Sequence, residues 1–363
     1  VRSEKAVVSC GGKCFKAWRK APFKVKRQSM PKLVIDVHIH IAAKDQPGCT
    51  VSPTMRRSPA FLYVLARNGV DRLELAKDFD GVIRNTILSA LNTSRTVKKG
   101  VLLAMDWIYC DGKRQKSHLV VSNDYVRQLA RENRKVLFGA SVNPVRPDAR
   151  EELERCLTDE PPAALVKWIP NSQWIDPSDR AHDWFYERLC EEKVPLLCHT
   201  GPEHAIPVPD PEQSQKLGNP RLLTRALDIG VTVIAAHCAT RFFPFENYDY
   251  LAPLARMMKE ADDKGRWKLF TDVSAMCTTF RAATVDKVLK KIPGHRMVLG
   301  SDFPIPIDSM PPVVVRGLTL EEYFGLFSVQ SPIEKNYQQL LAMGFPETIG
   351  FKAAELLNPK ALA

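Results

Sequence analysis

The stretch Leu33-Val-Ile-Asp36-Val-His38-Ile-His40 leads an apolar run into two histidines spaced i, i+2. On a β-strand that spacing puts both imidazoles on one face, because side chains alternate. Two neutral imidazoles aimed the same way can grip one divalent metal ion. Four further apolar runs end in residues of related chemistry. Lys167 follows Ala-Ala-Leu-Val, His199 follows Pro-Leu-Leu-Cys, His237 follows Val-Ile-Ala-Ala, and Asp302 follows Val-Leu-Gly-Ser. Each has a plainer explanation when taken singly. A histidine closing a buried strand is often a satisfied core residue, an aspartate before Pro304 suits a turn or cap, and a lysine can reach the rim on its aliphatic stem. Those explanations would have to coincide at five strands.

Asp36 shares the parity of His38 and His40. It is expected deeper on the same face, where it could orient a ligand; a strand-start aspartate is the alternative. Further pocket candidates follow the other apolar runs: Asp106, Trp107, Asn143, Glu203, His204, Arg241 and Ser274. His204 and Arg241 are placed to bind an anionic group, or are exposed loop residues. His118, His182 and His295 have no companion at metal-binding spacing.

Positioning such residues requires strands whose ends meet. Eight short apolar runs recur: Leu33–Val37, Val101–Met105, Val136–Ala140, Ala164–Val166, Pro195–Cys198, Val231–Ala236, Lys268–Phe270 and Met297–Gly300. After the second, each follows its predecessor by roughly 30–40 residues, the length of a strand, a helix and two loops. Between them, residues 124–132, 148–156, 183–193 and 219–230 show helical apolar spacing, the last with Pro220 in its first turn and Gly230 as a stop. This pattern predicts an α/β fold with a parallel sheet, closed as a (β/α)8 TIM barrel whose strand ends carry the chemistry. The crossover after His40 is far longer than one loop needs. Residues 41–100 are therefore expected to form a helical insertion over the barrel mouth, with helices near 61–68 and 70–78. Two C-terminal helices are expected between Pro332 and Leu357, broken near Gly344-Phe-Pro346.

Hydrophobic residues make up 45% of the 363 and charged residues 26%, the balance of an ordinary globular chain. No run approaches the ~18 apolar residues of a membrane span. The formal charge of +11 would suggest a nucleic-acid partner if it were spread over the body. It is not. Residues 1–30 hold nine basic residues against Glu4, a net of +8, which leaves only +3 for the rest. Residues 1–30 are read as a basic, poorly ordered tail. It is a basic arm, a targeting segment, or sequence upstream of a start at Met30, with the last preferred. Residues 31–363 form the folded unit. Cys10 and Cys14 are too few for a structural zinc site. The nine cysteines are an odd number, and Cys198, Cys238 and Cys277 lie inside apolar runs. Free thiols in a reducing, cytoplasmic compartment are expected.

Taken together, the Asp-x-His-x-His of residues 36–40, the Val-Lys-Trp-Ile-Pro of 166–170, the Cys-His-Thr-Gly of 198–201, the Ala-His-Cys of 236–238 and the Gly-Ser-Asp-Phe-Pro of 300–304 resemble the amidohydrolase superfamily. The nearer likeness is to its amidohydrolase-related branch, metal-dependent hydrolases of the TIM-barrel fold that include several decarboxylases. The closing Gly344-Phe-Pro-Glu-Thr-Ile-Gly and Ala353-Ala-Glu-Leu-Leu resemble that branch too, so the likeness covers about residues 32–357. The resemblance implies that His38, His40, His199 and Asp302 hold one divalent metal, zinc foremost. It implies that His237 sits beside it to polarise the substrate or orient water. A second metal bridged by carbamylated Lys167 is the alternative; in the related branch that lysine stays an amine facing the substrate's carboxylate or oxyanion.

A metal with an open position lowers its water's pKa from ~15.7 to near 7, and a nearby carboxylate can accept that water's proton. The leading expectation is therefore a metal-dependent hydrolase of a small molecule with an amide, lactone or ester bond and an anionic group. Asp302, His237 and Lys167 are its expected catalytic residues. The alternative is a non-oxidative decarboxylase of an aromatic or unsaturated carboxylic acid. A metal-free binding protein carried to RNA or DNA by the tail is the third reading, which the near-neutral body opposes. No membrane partner is expected, and a homo-oligomer stays open.

Overall fold

The computed structural model describes residues 33–363 apart from Pro209 and Pro244. The expected basic tail, with Cys10 and Cys14, lies outside the described residues. Eight parallel strands follow one another around a barrel: β1 (Val34–His40), β2 (Val97–Leu103), β3 (Val136–Ala140), β4 (Leu165–Trp168), β5 (Leu196–Cys198), β6 (Val233–Ala235), β7 (Leu269–Asp272) and β8 (Met297–Val298). Each neighbour in sequence is the neighbour in the sheet. The seam between β1 and the segment after β8 is drawn together by backbone hydrogen bonds. Val37 N donates to Leu299 O at 3.0 Å, His40 N to Phe303 O at 2.7 Å, and Asp302 N to His38 O at 2.9 Å. The expected TIM barrel is therefore present, with β2 starting at Val97, four residues before the apolar run that marked it. Two short antiparallel pairs, Thr50–Val51 with Leu119–Val120 and Tyr109–Cys110 with Lys113–Arg114, were not legible as strands.

Alternation along the strands builds two apolar layers. Ile35, Val37, Val101, Leu103, Leu137, Leu165, Leu197, Ile234 and Val298 fill the barrel, and Ala353 and Leu357 close one end of this inner cluster. Leu102, Phe138, Val166, Trp168, Leu196, Val233 and Leu269 face outward into a second cluster shared with the helices. Each such side chain contributes about 1.5–3 kcal/mol by leaving water, so strand register is strongly specified.

The outer helices lie close to expectation, at Asn123–Glu132, Ala149–Thr158 and Asp183–Glu192. Ser122 caps the first by accepting from Tyr125 N at 3.3 Å. The fourth splits into a 3-10 turn, Pro220–Leu223, and a helix, Thr224–Ile229, ended by Gly230 at φ 111°. The long first crossover holds four helices: Pro53–Arg57, Pro59–Arg67, Arg72–Lys77 and Phe79–Asn92. The last buries Phe79, Ile83, Ile87 and Leu91 and packs on β2 as an ordinary barrel helix does. The helix Pro59–Arg67 is tied to the loop after Asp302. Asn68 Nδ2 donates to Pro304 O at 2.7 Å, and Arg67 pairs with Asp308 at 2.5 Å.

The C-terminal helices are Pro332–Ala342 and Ile349–Leu356, parted at Gly344 and Pro346. Glu334, in the first turn of the former, is a staple to the start of β2. Its carboxylate accepts from Ser94 Oγ at 2.6 Å, Thr96 Oγ1 at 2.6 Å and Thr96 N at 2.7 Å. No helix among the described residues is long and apolar enough to cross a membrane.

Candidate metal centre

Strand parity brings Lys167, His199 and Asp302 to the barrel's C-terminal mouth. Lys167 follows inward Leu165 and His199 follows inward Leu197, each two residues on. Asp302 lies two residues beyond Gly300, whose missing side chain makes room: a Cβ there would stand 3.0 Å from that of His38. Two of the three remaining histidines, His38 and His237, do not follow simple alternation. Ile35 and Val37 belong to the inner cluster, yet His38 also points inward; a register irregularity between Asp36 and Ile39 reverses the parity. At β6, Ala236 is already inward, and His237 turns the same way because it adopts φ 59°. Asp302 is likewise left-handed, at φ 65°. Such backbone costs of order 1–3 kcal/mol per residue, and here it falls on two of the residues expected to do chemistry.

This reversal corrects the expectation for Asp36. Its carboxylate lies in the seam between β1 and β8 and accepts from His38 N and Ser301 N, both at 3.0 Å. Its other oxygen is buried without a partner, and burial pushes its pKa up to about 7. Asp36 holds the backbone of the site rather than an imidazole.

The imidazole of His38 is held instead by Asp272, which closes β7. His38 Nδ1 stands 2.7 Å from Asp272 Oδ2. The same carboxylate accepts from His237 N at 2.8 Å and from the Ser274 hydroxyl. Sequence reading missed Asp272 by ending that strand at Phe270. The signal was present, since Leu-Phe-Thr-Asp is one more apolar run closed by an acid. An Nδ1–H given to Asp272 leaves the His38 Nε2 lone pair free. That atom lies 3.0 Å from His40 Nε2, 3.3 Å from Asp302 Oδ1 and 3.2 Å from Lys167 Nζ. His40 Nε2 is also 3.3 Å from Asp302 Oδ1.

His237 completes a second pair. Ser274 gives its proton to Asp272, so its oxygen accepts from His237 Nδ1 at 2.7 Å. His237 Nε2 then faces His199 Nδ1 at 3.2 Å. His199 Nε2 is 3.3 Å from Pro202 O, a partner only a donor satisfies. His199 thus joins the cluster through His237, whose ring centroid is 4.8 Å from its own and 5.1 Å from that of His38.

Electrostatics favour neutral imidazoles and an ionised acid. Burial, with Lys167 nearby, lowers His38 to about 4, and burial holds His199 and His237 well below the usual histidine range. Burial alone would raise Asp302, but His38, His40 and Lys167 hold it at about 2. Burial also lowers Lys167. Among the described residues, two atom groups could hold a metal ion: His38, His40 and Asp302, and His38, His237 and Asp272. The first set suits a divalent ion on its chemistry. Two nitrogens that both offer lone pairs at 3.0 Å repel unless a cation or a proton stands between them, and a carboxylate completes the set.

The weaker candidates separate clearly. Asp106 accepts from Asn143 N and Trp107 N, both at 2.8 Å, and pairs with Arg146 at 3.2 Å, so it braces loops. Asn143 is spent on the carbonyls of Trp107 and Gln173. Glu203 faces the site, with Oε2 3.7 Å from His199 Nδ1. His204 is tied to Glu246 rather than free for an anion. Arg241 is half-buried at the rim. Ser274 hydrogen-bonds the imidazole of His237. His118 bonds Ser52, His182 lies edge-on to Trp168, and His295 faces Asp262, all away from the centre.

An eight-stranded parallel barrel with histidines and acids gathered at its strand ends defines an enzyme of hydrolase-like type. The family model described as "Amidohydrolase" matches residues 111–323, more than half of the chain, and the chain belongs to the amidohydrolase family. No curated protein matches it. Among solved structures it is similar to 2,6-dihydroxybenzoate decarboxylase complexed with 2,6-dihydroxybenzoate. The identity is 14%, coverage is 91% of this chain and 98% of that one, and the TM-score is 0.51. It is also similar to an uncharacterised TIM-barrel protein from Bordetella bronchiseptica, at 15% identity, with 85% and 98% covered and a TM-score of 0.50. At these identities the likeness is one of fold.

Proposed function

We propose that this chain is a metal-dependent hydrolase of a small molecule carrying an amide, lactone or ester bond and an anionic group. The observation that carries the reading is the convergence of His38 Nε2, His40 Nε2 and Asp302 Oδ1 within hydrogen-bond distance of one another. His38, His40 and Asp302 would hold one divalent ion, with His199 and His237 beside it; zinc is the ion we favour. When bound, such an ion activates a water and polarises a carbonyl.

The chain's own residues do the rest. Asp302, kept ionised by its cationic and imidazole neighbours, accepts a proton at Oδ2, the oxygen left free of the ion, and returns it to the leaving group. His237, fixed through Nδ1 by Ser274, presents Nε2 to substrate or water. Lys167, an amine in this reading, stabilises a developing oxyanion. Asp272 sets the tautomer of His38 and, through Ser274, that of His237.

A decarboxylase is the second reading. The fold is shared with 2,6-dihydroxybenzoate decarboxylase, and a buried cation at Lys167 also suits a substrate carboxylate. Asp302→Asn with metal analysis and assays of ester, lactone and amide cleavage beside CO₂ release tests both. The expected outcome is retained metal with hydrolysis lowered by about 10²–10⁴-fold. Retained hydrolysis would remove Asp302 from its role, and CO₂ release without hydrolysis would select the second reading.

A further inference from the structure

Arg281 lies in the short helix Thr279–Ala282 that follows β7, and it is 3% exposed. Its Nη1 donates to the Thr240 carbonyl at 3.3 Å and to the Thr240 hydroxyl at 3.0 Å. Its Nε is buried with no hydrogen-bond partner. Among the described residues no carboxylate forms an ion pair with it. A guanidinium stays charged and offers five donors in a fixed fork. Burying one without a contacting anion is costly, and buried charges are as a rule paired.

Its surroundings place it beside the metal centre. The charges of Asp302, Glu203 and Glu246 attract it from a distance, and its own charge opposes protonation of His199 and His237. Thr240, which holds it, donates its hydroxyl to the His237 carbonyl at 3.0 Å. A second observation concerns the wall around it. The Phe242 ring centroid lies 5.4 Å from the Arg281 Cζ. Phe242 and Phe243 pack edge to face at 4.8 Å, and each lies 5.2 Å from Phe280. Phe242 and Phe243 come from the loop after β6 and Phe280 from the short helix after β7, at the C-terminal mouth of the barrel.

We infer that Arg281 anchors a carboxylate of the substrate, with Phe242 and its neighbours as the apolar wall beside the substrate's body. The guanidinium would supply the ion pair that it lacks in the folded chain, through its unused Nε edge. This deepens the anionic-group part of the proposed function and rests on that reading of the site. Arg281 is thereby a specificity-determining residue, one that selects a charged substrate over its neutral isostere.

The test compares benzoate with benzamide by calorimetric titration of the metal-loaded full chain. Wild type is expected to prefer benzoate. Arg281→Gln should weaken benzoate at least about tenfold, the loss expected of a charge-assisted hydrogen bond, and leave benzamide unchanged. Arg281→Lys keeps a charge without the fork, so an intermediate benzoate affinity is expected. It also keeps the test decisive if the glutamine variant does not fold. Equal benzoate affinity in wild type and the lysine or glutamine variant would overturn the inference, as would no preference for benzoate in wild type. Metal content of the same samples separates the two proposals. A metal-free wild type counts against the centre, whereas unchanged benzoate binding in metal-loaded protein counts against Arg281 alone.

Discussion

His38 and Asp272 are 234 residues apart in the chain, yet Nδ1 of one stands 2.7 Å from Oδ2 of the other, both fully buried. The pair spans the barrel mouth from β1 to β7. It settles which nitrogen of His38 keeps a lone pair, and so which atom faces His40, Asp302 and Lys167. Asp272 also receives His237 N and the Ser274 hydroxyl, so one carboxylate orients two imidazoles.

Asp272→Asn should therefore act on the metal rather than on the fold. The amide keeps the volume and can still accept one hydrogen bond, but it loses the charge that orders His38. Metal affinity is expected to fall by about 10–100-fold, read by competition with a chelator of known affinity. An unaltered affinity would make the aspartate merely structural.

Lys167→Met keeps a long side chain without the amine. With one ion in the centre, the variant should hold the same metal content as wild type and lose most of its turnover. If Lys167 bridged two ions, elemental analysis would instead show half of the metal gone. Intact mass of the wild type under mild ionisation tests for the carbamate directly.

Removing the metal should cost stability as well as activity. Without a cation, His38 and His40 face each other at 3.0 Å with an ionised Asp302 beside them. A ligand present at 1,000 times its Kd stabilises the native state by about 4 kcal/mol. Chelation should therefore lower the Tm by several degrees, and zinc should restore it. A melting curve indifferent to chelator would contradict an ion at this centre.

Glu334 yields a prediction remote from the site. Burial would raise its pKa, but hydrogen bonds from Ser94 and Thr96 lower it from 4.5 to about 2. A folded-state pKa below the unfolded one gives stability that is complete above pH 4.5 and is lost as pH falls toward 2. Glu334→Ala should cost about 1–3 kcal/mol, because the buried Ser94 hydroxyl loses a charged acceptor. It should flatten the acid limb of a urea-midpoint profile between those pH values and leave kcat/KM at neutral pH unchanged. A parallel loss of activity would show that the staple reaches the site.

The strands were legible one by one, because each is a short apolar run and burial on both faces demands such runs. Lys167, His199 and Asp302 were legible as strand-end groups because the inward apolar residue two places before each, or the close-packed Gly300 before Asp302, keeps a period of two. Asp36 was misplaced by the same rule. The irregularity in β1 breaks the period between Val37 and His38, and nothing in the local residue types marks it. His237 needs a left-handed backbone that an alanine-rich run does not announce. Arg281 drew no notice because a short helix after β7 buries a guanidinium for reasons of packing, not of periodicity.

Residue type and spacing alone thus determined that eight runs would pair in order and that imidazoles and acids would cap them, because hydrophobic alternation is a local property of the chain. Which lone pair points where, which acid governs which ring, and which cation is left without an anion were decided only when strands distant in sequence met across the barrel. Those contacts depend on closure, on one register fault and on left-handed residues at His237 and Asp302, and no short window of sequence contains them.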